Sequence, residues 1–186
     1  ITLLPTLQGK QLILVEDLIS KDGLLHPVQK AMVSCHGSQC GFCTPGFVMS
    51  LFSMFKKHSK FRDDIIKDSI SGNLCRCTGY KPIIKAAKSL KNKNRNDHFN
   101  QSLKNTIKLI KKINNKSLKI YKKNKRYFAP RYLKELKKIL KKNINADFLS
   151  GGTDLSLRIT KEKKDINSII YMNSIRELDY IKNNKK

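Results

Sequence analysis

The sequence predicts an α+β chain in three zones. Residues 1–90 read as an all-α four-helix domain, residues 91–126 as a linker, and residues 127–186 as the first part of an α/β domain. Three observations carry this. Apolar residues recur at helical spacing through the first zone, behind Pro and Gly punctuation. The middle zone is rich in Lys and Asn, with Asp97 its single acid. The last zone joins a helical pattern to short apolar runs, one of which feeds a Gly-Gly turn. No internal repeat is evident.

The elements follow in order. His26-Pro27 marks a helix start, since Pro suits the first helical turn, and Val28, Met32 and Val33 form one apolar stripe behind it. Thr44-Pro45-Gly46 opens a second helix, with Thr44 as N-cap. Phe47, Val48, Leu51, Phe52, Met54 and Phe55 fill its inner faces, and Lys56, Lys57 and His58 suit the negative end of its dipole. Residues 62–71 read as a third helix stopped by Gly72, with Ile65, Ile66 and Ile70 apolar. Lys81-Pro82 begins a fourth, with Ile83, Ile84, Ala87 and Leu90 inward. The Lys/Asn-rich stretch is a linker or an exposed basic helix. Beyond it come a helix over 131–142, a strand over 146–149 and a strand over 169–171. Ile175, Leu178 and Ile181 suggest a short closing helix or turn.

Composition narrows the class. The formal charge is +25 and the apolar fraction 39%, enough for modest cores. No apolar run approaches the roughly twenty residues of a spanning helix, so no membrane partner is expected. The opening Ile-Thr-Leu-Leu-Pro lacks the basic lead of a signal peptide. The chain starts at Ile1 and is expected to be a truncated product. The basic excess invites a nucleic-acid partner, but aromatic interleaving and a reader motif are missing, so a solvated surface is the reading adopted. A basic face docked on an acidic partner subunit is the alternative.

Four of the five cysteines form two close pairs, Cys40-Gly-Phe-Cys43 and Cys75-Arg-Cys77. Both precede helix starts, where amide donors and the dipole favour thiolates. The spacing is not that of a secretory disulfide scaffold and points to a reducing, cytoplasmic compartment. Structural zinc sites space their ligand pairs by two to four residues, so the Cys-x-Cys pair argues for a two-iron cluster, each iron taking one pair. Cys35 falls outside this pattern and reads as a small core residue. A zinc-stabilised basic module is the reading from a different class.

A strand running into Leu149-Ser150-Gly151-Gly152-Thr153-Asp154-Leu155 leaves backbone free to approach a phosphate. Alone, Gly-Gly-Thr-Asp is as often a simple turn. It is neither a dinucleotide-binding G-x-G-x-x-G nor a P-loop.

The segments Leu25-His26-Pro27-Val28-Gln29, His36 to Gly46 and Ser71 to Tyr80 closely resemble the [2Fe-2S] domain of the molybdenum hydroxylases, the family that includes xanthine dehydrogenase and aldehyde oxidoreductase. Phe128-Ala129-Pro130, Phe148 to Leu155, Ile170-Tyr171 and Glu177-Leu178 look like the start of that family's FAD-binding domain. The order is similar to the small subunit of xanthine dehydrogenase. The resemblance implies an oxidoreductase subunit that passes electrons from a molybdenum cofactor through [2Fe-2S] to FAD and NAD. It implies that Cys40, Cys43, Cys75 and Cys77 ligate the cluster, and that Gln39 and Cys77 lie beside a pterin held by a molybdopterin-binding large subunit. Leu149, Ser150, Gly151, Gly152, Thr153, Asp154 and Leu155 would wrap the FAD pyrophosphate. It places no substrate-attacking base in this chain, so His26, His36, His58 and His98 are read as structural or exposed. A chain without the family's ferredoxin-like domain and with an incomplete flavin part is therefore expected, and Ser156 stands where the family often has glycine. Other aldehyde, purine or N-heterocycle hydroxylases, and an inactive truncated product, are the alternatives.

Overall fold

The structure is a computed structural model that describes residues 2–113 and 116–182. Residue 1, residues 114–115 in the linker zone and residues 183–186 in the last zone lie outside the described residues. The chain divides into two units, one of residues 12–106 and one of residues 1–11 with 107–186. Among the described residues no helix is long and apolar enough to cross a membrane.

The first unit holds α1 (Pro27–Ser34), α2 (Thr44–Lys57), α3 (Asp63–Ile70) and α4 (Lys81–Ser89). α1 starts as its sequence requires. His26 is the N-cap, its ring accepts the Val28 amide, and the Gln29 side chain takes the His26 amide at 2.9 Å. α2 starts differently from expectation. Cys43, not Thr44, is in the N-cap position, and Pro45 falls in the first turn. The Thr44 hydroxyl is instead engaged by Ser38 at 2.6 Å, so it serves the preceding loop. Phe47, Leu51, Phe55, Val28, Ile66, Ile83, Ala87 and Leu90 make one core in which all four helices take part. Cys35 packs at the edge of that core.

A fifth helix, α5 (His98–Ile113), runs through the Lys-rich stretch and has no buried residue. Its N-terminal end is tied to the first unit. Asp97 accepts from Lys56 at 3.0 Å and from the Asn100 amide at 3.1 Å, and Phe99 lies against Phe52.

The second unit is a four-stranded sheet in the order β1-β2-β4-β3, formed by β1 (Leu118–Lys122), β2 (Lys125–Ala129), β3 (Asp147–Leu149) and β4 (Ser168–Tyr171). β1 and β2 form an antiparallel hairpin, while β2, β4 and β3 are parallel. α6 (Leu133–Lys142) covers one face, packing Leu136 and Ile139 on Phe128, Ile170 and Ile175. α7 (Leu155–Thr160) covers the other, with Leu155 against Tyr127, Ala129, Leu149 and Ile166. Helices on both faces of a largely parallel sheet are the α/β arrangement expected. The strand-to-turn edge after β3 is thereby held between two cores.

Candidate metal centre and flavin-binding turn

The two cysteine pairs occupy two loops of the first unit. Cys40 and Cys43 lie between α1 and α2, and Cys75 and Cys77 lie between α3 and α4. Gly46 and Asn73 bring the loops together. A Cβ on Gly46 would stand 2.8 Å from Asn73 Oδ1, so only glycine lets Asn73 lie this close to the first turn of α2. Asn73 then donates to Ser50 Oγ at 2.7 Å, fastening the second loop to that helix.

The thiols meet across the loops. Cys40 and Cys77 shift each other's ionisation, as do Cys43 and Cys75, so these are the thiols that face across the loops. This differs from the arrangement by sequence pairs, because the two loops face each other. The inner contact has a buried Cys75 and a half-buried Cys43, while Cys40 and Cys77 form an exposed outer edge. Phe42, 95% exposed, and Leu74, 82% exposed, belong to the same two loops. Gln39 is exposed beside Cys40.

Charge is distributed unevenly over the four sulfurs. The Thr78 hydroxyl, followed by the Thr78 amide, holds the Cys75 thiol down at about 7. The backbone at Phe42 lowers Cys40. Burial raises Cys43, and the facing Cys40 raises Cys77. One sulfur in each pair is thus favoured as thiolate and the other as thiol.

Four soft thiol donors in facing loops fit a thiolate-ligated metal group. Among the described residues no group of three or more His, Cys, Asp or Glu side chains is set to hold a single metal ion. A two-iron group would ask for less at each metal, two protein donors apiece, and Cys40, Cys43, Cys75 and Cys77 are the residues that would supply them.

Spacing alone gives Asn73, Thr78 and Tyr80 no role. Tyr80, in the N-cap position of α4, has φ 67°, a left-handed conformation uncommon outside glycine. Its hydroxyl receives the Cys75 amide at 2.9 Å. No sequence signal marks this, because the contact depends on a backbone turn that a non-glycine residue rarely makes.

In the second unit β3 ends at Leu149 and the chain turns through Ser150, Gly151, Gly152, Thr153 and Asp154 into α7. Gly152 has φ 84°, and a Cβ there would press on Leu149 at 3.2 Å. Ser150 Oγ donates to Asn173 Oδ1 at 2.7 Å, tying the turn to the end of β4. Leu149 and Leu155 are core residues, whereas Gly151, Thr153 and Asp154 are exposed. A cleft of about 240 Å³ opens beside the turn, lined by Ser150, Gly151, Gly152, Ser156, Asn173 and Lys10 among others. Lys10 supplies a cation there, with Nζ 3.3 Å from the Tyr171 hydroxyl. Its distance in sequence from the turn hid it from motif reading. Ser156 is buried, and its amide bonds the Gly152 carbonyl at 3.1 Å, so the side chain is accommodated inside the α7 start.

Comparisons with known proteins agree with this division. Residues 14–88 match the family described as "[2Fe-2S] binding domain". Residues 119–186 match "FAD binding domain in molybdopterin dehydrogenase". Human aldehyde oxidase is 48% identical over 84 residues, 45% of this chain and 6% of that protein. Rice xanthine dehydrogenase is 44% identical over 101 residues, 54% of this chain and 7% of that protein. The chain therefore spans only a small fraction of these relatives. The structure of quinoline 2-oxidoreductase from Pseudomonas putida 86 is 34% identical, covering 42% of this chain and 51% of that one, with a TM-score of 0.37. Two domain matches in family order, on a unit with four converging thiols and a unit with a Gly-Gly turn, lead to one conclusion: the chain carries the iron–sulfur and FAD region of the molybdenum hydroxylases.

Proposed function

We propose that the chain acts as an electron-transfer subunit of a molybdenum hydroxylase of the xanthine dehydrogenase type, working in the cytoplasm. Cys40, Cys43, Cys75 and Cys77 are the cluster ligands in this reading. When bound, [2Fe-2S] and FAD supply one-electron carriage from a molybdenum–pterin centre and its collection for delivery to NAD. The observation that carries the reading is the meeting of four thiols across two loops at helix starts.

The residues divide the work. Cys43 and Cys75 form the edge turned from water, and Cys40 and Cys77 the edge open to a donor. Gln39, Phe42 and Leu74 border the open edge, which a molybdopterin-binding large subunit covers. At the turn, Gly151 and Gly152 let the backbone approach the FAD pyrophosphate. The Ser150 and Thr153 hydroxyls and Lys10 offer donors and positive charge, and Leu149 and Leu155 anchor both ends of the loop. Asp154 closes it. The four histidines have no part in bond-breaking.

Anaerobic reconstitution with iron and sulfide is expected to give two irons per chain and a rhombic EPR signal on reduction. Cys75→Ser is expected to abolish or reshape that signal. One metal per chain, or a signal indifferent to Cys75→Ser, overturns the assignment. Aldehyde oxidation by the parent enzyme is a second reading, supported by human aldehyde oxidase matching this chain as strongly as rice xanthine dehydrogenase does. Turnover of xanthine against simple aldehydes, with the molybdopterin-binding partner present, separates the two.

A further inference from the structure

Thr78 stands next to a proposed cluster ligand without being one. Its amide points at Cys75 Sγ at 3.5 Å, and its hydroxyl oxygen lies 3.1 Å from the same sulfur. The neighbours fix which way the hydroxyl proton points. Thr78 Oγ1 already accepts the Tyr80 amide at 3.2 Å. A metal-ligating cysteine is a thiolate and has no proton to give. The hydroxyl proton is therefore directed to the sulfur. Tyr80 braces the arrangement from the other side, since its own hydroxyl accepts the Cys75 amide at 2.9 Å. The left-handed backbone of Tyr80 makes both contacts together, with its amide turned to Thr78 and its ring turned to Cys75.

We propose that Thr78 is a positioning residue that raises the reduction potential of the cluster by donating its hydroxyl proton to Cys75 Sγ. The inference rests on the ligand assignment above. Adding an electron increases the negative charge on the sulfurs, and a hydrogen bond to a ligating sulfur favours the more negative state. Cys75 is the most buried of the four, 6% exposed, so water does not dilute this bond as it would at Cys40 or Cys77. Thr78 thus acts at the buried sulfur and not at the exposed edge of Cys40 and Cys77.

The test uses the full chain reconstituted with iron and sulfide, with redox titrations followed by EPR. Thr78→Val keeps the shape and the amide but removes the hydroxyl. It is expected to hold two irons per chain and to titrate at a more negative potential. Thr78→Ser is expected to return the potential to that of the unaltered chain. A loaded Thr78→Val variant with an unchanged potential overturns the proposal. So does a loaded Thr78→Ser variant that stays at the lowered value. If neither Thr78→Val nor Thr78→Ala takes up iron, Thr78 is an assembly residue and the tuning role is refuted. Failure of the ligand assignment looks different, because the unaltered chain then shows no two-iron signal at all.

Discussion

His26 is 4% exposed and sits with its ring edge-on to Phe52 and Phe55, at centroid distances of 5.2 and 5.6 Å. Its Nδ1 accepts the Val28 amide at 3.2 Å, and its Nε2 faces Asp97 at 3.2 Å. The neutral tautomer with a proton on Nε2 satisfies both contacts. A second proton would go to Nδ1 and meet the Val28 N–H, removing the α1 cap. Burial lowers the His26 pKa below its ordinary 6.5, and Asp97 opposes that only in part. The sign follows. The unfolded chain binds the proton more readily, so the contribution of His26 is complete above pH 6.5 and shrinks as pH falls toward the lower folded value. The Asp97 carboxylate, also lowered, loses its contribution only in a window below its ordinary 3.8. Urea midpoints of the first unit are expected to drop between pH 7 and pH 5. In His26→Asn, which can still cap, that drop is expected to flatten, at a loss of about 1 kcal/mol at pH 7. An unflattened slope would assign the pH dependence elsewhere. The resemblance read His26 only as structural or exposed, and spacing could not reveal its tie to Asp97, 71 positions away. The two close cysteine pairs stood out in the sequence because their spacing is chemically unusual. Their cross-loop pairing did not, since it depends on how two loops face.

α2 and the loop after α3 meet at Gly46, and here an element-level balance can be tested. Gly46→Ala would gain up to about 1 kcal/mol of helix propensity. The new Cβ would displace Asn73 Oδ1 and with it the Asn73–Ser50 hydrogen bond, worth about 1 kcal/mol. The two effects nearly cancel, so the thermal midpoint is expected to move little. Iron retention should fall, because the loop carrying Cys75 and Cys77 loses its fastening to the helix that Cys43 begins. Full iron retention in Gly46→Ala would show that the loops converge without this contact. Helices α1, α2 and α4 were legible because apolar spacing and Pro at the first turns agree, as Pro27, Pro45 and Pro82 show, and α3 was legible from its apolar spacing and Gly72. The β1–β2 hairpin was not. It begins at Leu118 inside the Lys-rich stretch, and β1 is exposed along most of its length, so it lacks the alternation that marks a half-buried strand. α7 escaped notice because six residues do not complete two helical turns.

At the scale of the whole chain, each unit brings its own core to its own site. The four thiols belong to residues 12–106 and the Gly-Gly turn to the unit that includes residues 107–186. Anything that binds only the folded form of a site stabilises the fold that builds it. Cluster loading is therefore expected to raise amide-exchange protection at Phe55, Ile66 and Ile83, which belong to the same core as Cys75. FAD at the turn is expected to act on Leu149 in β3, from which the turn emerges, and on Ile170 in β4, which pairs with β3. Stripping iron with a chelator from a reconstituted, FAD-loaded chain should lower the first set and leave the second at its loaded level. Loss of protection in both sets at once would mean that the two units share one cooperative unfolding step. The thiol loops would then draw stability from the sheet as well as from α1 to α4, and the four-helix core would not by itself account for how two loops are held face to face.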